Sequence, residues 1–332
     1  MSKYIDVSNW FKYVEKYINT SINPYYKPEE FLSNAEEAIY SIPYSELKPL
    51  LDFKSGKLNG HIVLKGLDTD PVVIPTLEST DDIKSQKITF YSEFWLSVVA
   101  KILGDPIDYA QEKNGEIYQN VRPRKGQENK IASDSSQITL DLHVENGYHP
   151  IRPDFLMLYC LRQDQEKKGH TLALDVPSIL HLLSNEEISI LRTKRFKTSV
   201  DWNFGNYDAE RGTGPLVSLI FGPENNPMIF WDDEYIIGVD KEAQDTLDKL
   251  RKILHNHMKG ILLNPGEMIV YDNYRSVHGR TPFIARYDGS DRWLQRLLVV
   301  RDLTLNQKIL NNDGRVLDWL YKPGINYSNI VY

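Results

Sequence analysis

An imidazole and a carboxylate stand two residues apart in the segment SQITLDLHVENGYH, at His143 and Glu145. If residues 138–145 form a strand, Ile138, Leu140 and Leu142 share one face, and Thr139, Asp141, His143 and Glu145 share the other. Two such side chains can meet the same ion. With a second histidine they would form a two-histidine, one-carboxylate facial triad, which leaves positions open for the cosubstrate and dioxygen of an iron(II) oxygenase. The candidate is His278, in EMIVYDNYRSVHGRTPF (267–283), a segment that reads as a strand running into a loop. Each part also has a plainer reading: His-x-Glu on a solvated strand face, and His278 in a surface loop.

The next strand, DRWLQRLLVVRD (291–302), sharpens the choice. On alternation, Arg292, Leu294, Arg296, Leu298 and Val300 share a face, which sets two arginines among apolar neighbours. Burying an arginine is costly unless an anion or a hydrogen-bonded partner meets it. The proposed chemistry offers two anions, the distal carboxylate of 2-oxoglutarate and the carboxylate of an amino-acid substrate, and a planar guanidinium fork suits both. Four strand residues span ~13 Å at ~3.3 Å each, room for two anions flanking one metal. The alternative is an edge strand with both arginines in water, paired to Asp291 and Asp302.

These residues need a framework. Residues 1 to about 58 read as helical, with Trp10, Phe11, Val14, Tyr17 and Ile18 at helical spacing and Asn34-Ala-Glu-Glu-Ala as a helix start. HIVLKGL (61–67) reads as a buried strand. TFYSEFWLSVVAKIL (89–103) reads as a buried helix stopped by Gly104-Asp-Pro. From about residue 115 short strands follow: EIYQNV, QITLDLHV, FLMLYCLR, HTLALDV, PLVSLIF, MIFW, EMIVYDN and WLQRLLVV, with helix 240–258 laid outside. Eight strands suit a double-stranded jelly roll. The expected fold is mainly β with flanking helices, a single domain over 1–332. Its parts are a mainly helical region (1–85), a jelly-roll core (86–305) and a C-terminal extension (306–332). DWNFGNYDAERGTGP (201–215) is a polar insertion of the kind that serves as an active-site lid.

Composition closes off other classes. The chain has 332 residues, 41% hydrophobic and 26% charged, which is ordinary globular usage. Cys160 is the only cysteine, so an internal disulfide, zinc fingers and iron–sulfur clusters are out, and a reducing compartment fits. The start lacks the apolar core of a secretory signal, and no run of 18 apolar residues suggests a membrane helix. A net charge of −7 with dispersed basic residues speaks against nucleic-acid binding. The expectation is a cytoplasmic protein acting on a small molecule.

LDLHVENGYHPIRPDFLMLYCLR, the Gly-His-Thr-Leu of 169–172 and VYDNYRSVHGRTPF…RYDGSDRWLQR together resemble the clavaminate synthase-like group of 2-oxoglutarate oxygenases. The resemblance covers roughly residues 85–305 and is nearest the enzymes that hydroxylate free lysine or arginine. It implies a distorted double-stranded β-helix, with iron(II) held by His143, Glu145 and His278 as the catalytic centre. It implies Arg292 and Thr171 on 2-oxoglutarate, Arg296 on the substrate's α-carboxylate, and Gln119 near its α-amino group. In FGPENNPMIFWDDEY (221–235), Glu224, Asp232 and Asp233 are the candidate partners for a substrate cation. An ammonium is satisfied by mixed oxygens more readily than a guanidinium, which favours lysine over arginine. The implied reaction takes up dioxygen and 2-oxoglutarate and yields 4-hydroxylysine (or 3-hydroxylysine), succinate and carbon dioxide. Two rivals stand beside it. A zinc hydrolase with the same ligands has no use for the two arginines, and a non-catalytic metabolite-binding barrel has no use for an open metal site.

Overall fold

The computed structural model describes residues 3–205, 207, 210–311 and 314–322, without the side chains of Asn306 and Gln307. Two sheets face one another. The larger runs in the order Lys3–Asp6, His61–Lys65, Met268–Asp272, Phe155–Arg162, Trp293–Val300, Asp105–Tyr109, Val316–Leu317, and Gln119–Val121 also pairs with Trp293–Val300. The smaller has Lys259–Ile261, Thr171–Asp175, Ser276–Arg280 and Leu140–His143. Short strand pairs complete the β structure, so the described strands outnumber the eight expected.

Alternation along each strand builds three apolar layers. Leu294 and Leu298 point between the sheets with Leu156 and Cys160, where they meet Ala173 and Ile261 of the smaller sheet. Trp293, Leu297 and Val299 point the other way, into an N-terminal helical layer with Trp10, Phe31, Phe53 and Trp95. On the far side, Leu142, Leu172, Leu174 and Val277 pack against Leu247, Leu250 and Leu254 of helix Lys241–His257. Helix Tyr91–Leu103 is buried almost all round, as its sequence indicates, and Gly104 ends it. Among the described residues, no helix is long and apolar enough to cross a membrane.

The structure corrects several expectations. The N-terminal part is not helical from its start, because Lys3–Asp6 is a strand paired in parallel with His61–Lys65. Four residues carry too little periodicity to reveal a strand whose partner is so remote. The helix assigned to Asn34 begins at Pro28, whose missing N–H costs nothing in a first turn. His278 lies within the strand Ser276–Arg280, not in a loop after one. The expected C-terminal extension supplies Val316–Leu317 as an edge strand beside Asp105–Tyr109. Of the expected lid, Asn206, Asp208 and Ala209 lie outside the described residues.

Candidate metal and cosubstrate site

His143 and His278 are brought together by register. They are direct partners across the antiparallel pair Leu140–His143 and Ser276–Arg280, and their rings lie 4.3 Å apart. Glu145 follows the strand's end, where Asn273 takes hold of its backbone from both sides. The Asn273 amide accepts from the Glu145 N–H and donates to the Glu145 carbonyl, each at 2.8 Å. Ligand atoms of His143, Glu145 and His278 fall within 4.8 Å of one another. His143 Nδ1 bonds to the Asp141 carbonyl at 2.7 Å, which leaves Nε2 for an ion. Among the described residues, His278 Nδ1 is buried without a partner. Two imidazoles and a carboxylate fit a first-row divalent metal, and iron(II) among them.

Electrostatics match that use. Burial and the neighbouring His278 push His143 down, so it stays neutral as a ligand must. Burial works against an ionised Glu145, but Arg296 and a hydrogen bond from His278 prevail and hold it well below the usual carboxylate range. The triad opens on a cavity of about 670 Å³ between the sheets.

Both arginines enter that cavity from Trp293–Val300 and the residue before it. This is a central strand, paired with Phe155–Arg162 on one side and with Asp105–Tyr109 and Gln119–Val121 on the other. The edge-strand alternative is thereby removed. Arg292 is buried, donates to Thr171 Oγ1 at 3.1 Å, and among the described residues forms no ion pair. Such a cation is suited to an anion from outside the chain. Gly169 makes room for it: a Cβ there would stand 3.0 Å from Arg292 Cδ and 3.2 Å from the Phe283 ring. Gly169→Ala is expected to displace the guanidinium at a cost of about 1–2 kcal/mol, within the range of small overpacking effects. Steady-state kinetics should show the KM for 2-oxoglutarate rising several-fold, with the KM for the second substrate unchanged.

Arg296 is engaged on three sides: Nε with Gln119 at 2.7 Å, Nη1 with Glu145 at 2.8 Å and Nη2 with Glu112 at 2.9 Å. The two carboxylates outweigh burial and raise its basicity further. Sequence reasoning missed Glu112 and Asn273. Glu112 precedes a turn in which Lys113, Asn114 and Gly115 all take positive φ, a conformation that brings the acid to the cavity. The Asn-Gly pair was the available signal.

Three expected substrate contacts lie elsewhere. Gln119, directly opposite Arg296 in register, bonds to Arg296 and Asp108 and does not line the cavity. Asp233 turns outward to Arg251 at 2.7 Å and His255 at 2.5 Å, because its neighbour Asp232 takes the inward position of the alternating backbone. Glu224 sits in an exposed turn away from the cavity. Asp232 does line the cavity, bridged to His143 through the backbone, and burial pushes its carboxyl up to about 6. Asp201, Trp202 and Asn203 of the expected lid also line it.

The comparisons agree with this geometry. The model of the family "Taurine catabolism dioxygenase TauD, TfdA family" matches residues 84–298. An L-lysine 3-hydroxylase of Catenulispora acidiphila is 30% identical over 299 residues, covering 88% of this chain and 82% of its own. An L-lysine 4-hydroxylase of Niastella koreensis is 24% identical over 262 residues, covering 73% and 67%. The crystal structure of asparagine oxygenase with Fe(II), 2S,3S-3-hydroxyasparagine and succinate superposes with a TM-score of 0.83 at 30% identity, covering 95% of this chain and 99% of that one. The chain as a whole is thus matched in sequence and in shape. The chain belongs to the TauD/TfdA dioxygenase family and is an iron(II)- and 2-oxoglutarate-dependent dioxygenase with a distorted jelly-roll fold.

Proposed function

We propose that this enzyme hydroxylates a free basic L-amino acid, lysine before arginine, on a carbon near the α-centre. The observation that carries this reading is the distribution of charge around one cavity. At one end Arg296 and Glu112 stand side by side, a cation and an anion that fit the carboxylate and the ammonium of a free α-amino acid. Elsewhere the cavity is lined by Asp201, Asp232, Glu234 and Tyr235, and burial together with these three acids pushes the Tyr235 hydroxyl up. A compact ammonium can share such scattered oxygens, whereas a guanidinium favours one bidentate carboxylate. A peptide-bound lysine lacks the free carboxylate for Arg296.

His143, Glu145 and His278 would hold the iron, and Arg292 with Thr171 the distal carboxylate of 2-oxoglutarate. When bound, metal and cosubstrate supply the oxidising chemistry, with succinate and carbon dioxide released. The chain supplies position: two charged ends fix the substrate and present its middle carbons to the metal face. Position C3 is favoured over C4, because the matched lysine 3-hydroxylase is the more similar of the two lysine enzymes.

The test is a succinate-release screen of the twenty amino acids with iron(II) and 2-oxoglutarate. Lysine should give a product heavier by one oxygen atom in mass spectrometry, and two-dimensional NMR should place the hydroxyl on C3. Uncoupled succinate with lysine, and an oxygenated product with arginine or a neutral amino acid, would overturn the lysine assignment. Asp232→Asn is expected to raise the KM for lysine roughly 10- to 100-fold, the effect of losing one buried charge-assisted hydrogen bond. The KM for 2-oxoglutarate should stay as it was.

A further inference from the structure

The Arg292 guanidinium has a second guanidinium beside it. Arg280 and Thr171 are direct partners across the antiparallel pair Ser276–Arg280 and Thr171–Asp175, so their side chains leave the sheet together on one face. Thr171 is the residue that accepts from Arg292. The Phe283 ring ties the group together, 5.1 Å from the Arg280 guanidinium carbon and 5.7 Å from that of Arg292. Arg280 and Arg292 are 4% and 6% exposed, and both line the metal cavity.

Among the described residues, no carboxylate lies within ion-pair distance of Arg280 or Arg292. The acceptors of Arg280 are neutral: Ser135 Oγ at 2.9 Å and the carbonyls of Ser136, Ile138 and Thr281 at 3.2 to 3.3 Å. Its Nε is buried without a partner among the described residues. Asp164, an acid close to this end of the cavity, uses its carboxylate on the backbone N–H groups of Glu166, Lys168 and Gly169. Two buried like charges side by side are unfavourable until an anion joins them. A carboxylate has about four acceptor directions, and one guanidinium fork takes two.

We propose that Arg280 is a specificity-determining residue for the cosubstrate, the second of two cations that make the cavity demand a keto acid with a distal carboxylate. This rests on the 2-oxoglutarate reading of the site. The competing role is a strut that ties residues 135–138 to the strand carrying His278. The two roles separate when ligands with and without the distal carboxylate are compared.

Calorimetric titration of the full-length zinc(II)-loaded protein with 2-oxoglutarate and with pyruvate makes that comparison without turnover. Pyruvate keeps the metal-binding keto-acid end and lacks the far carboxylate. Arg280→Met is expected to weaken 2-oxoglutarate roughly 10- to 100-fold and leave pyruvate unchanged. Arg280→Lys, which restores the charge without the fork, should recover most of the loss, with thermal melts confirming that each variant is folded. If Arg280→Met does not fold, Arg280→Gln carries the same comparison. Unchanged 2-oxoglutarate affinity, or equal losses for both ligands, would overturn the proposal in favour of the strut. A wild-type protein that binds neither ligand would overturn the cosubstrate reading and this proposal together.

Discussion

His278→Ala is expected to abolish turnover while the fold survives. Removing one of three ligands leaves two, and first-row divalent ions bind weakly to so few donors. Even partners that only orient a ligand typically cost about 10- to 100-fold in metal affinity or activity, so loss of a ligand itself should exceed that and reach background. His278 sits at the centre of the small sheet, held by backbone pairing on both sides, and alanine keeps that pairing. Circular dichroism should therefore match the wild type while succinate release disappears and iron affinity falls. His143→Ala should behave in the same way. Full activity in either variant would remove the metal assignment and with it the oxygenase site. Asn273→Ala offers a graded version, because it frees the Glu145 backbone without touching a ligand.

Arg296→Ala should be nearly as damaging, and for two reasons that one measurement can separate. Arg296 bonds to Glu145 and Glu112 together, and removing it leaves two buried carboxylates facing each other without their cation. Truncating one partner of a buried charged pair costs roughly 2–5 kcal/mol, or about 30-fold to several thousand-fold in an equilibrium constant. On the proposed binding mode the KM for the amino acid should rise by that order, because the substrate's carboxylate would lose its anchor. Iron affinity should also fall, because Glu145 loses the group that keeps it ionised and aimed. The 2-oxoglutarate requirement should move least, since Arg292 bonds to Thr171 and not to this network. Arg296→Lys separates charge from geometry: it should retain iron better than alanine does, yet still bind the amino acid poorly for want of the planar fork. A variant that weakened only 2-oxoglutarate would reverse the roles of the two arginines.

Residue identity and local spacing were enough to name candidates for the chemistry. His143, Glu145, His278, Arg292 and Arg296 could be singled out as one candidate group, which the structure gathers at one cavity, because ligand types are few and strand alternation is a strict period of two. The long buried elements were legible for a related reason: helix Tyr91–Leu103 and strand Trp293–Val300 carry enough apolar residues to show their period. Short elements with distant partners were not. Lys3–Asp6 is a strand only because His61–Lys65 lies alongside it, and Ser276–Arg280 is a strand only because it is paired on both edges.

The surroundings of the ligands also had to wait for the tertiary structure. Asp232 and Asp233 are adjacent and chemically alike, yet one faces the cavity and the other meets Arg251 and His255. Which one turns inward depends on the pairing of that segment with His143, and a shift of one residue would exchange them. Glu112 reaches Arg296 through a left-handed turn, and Gln119 reaches the same arginine through register. Arg280, one of several dispersed arginines in the sequence, stands beside Arg292 only when the two sheets close on each other. The sequence by itself determined which groups could hold a metal and an anion. Only the packing of one sheet over the other decided which charges share the cavity, since long-range pairing and burial set a side chain's partners.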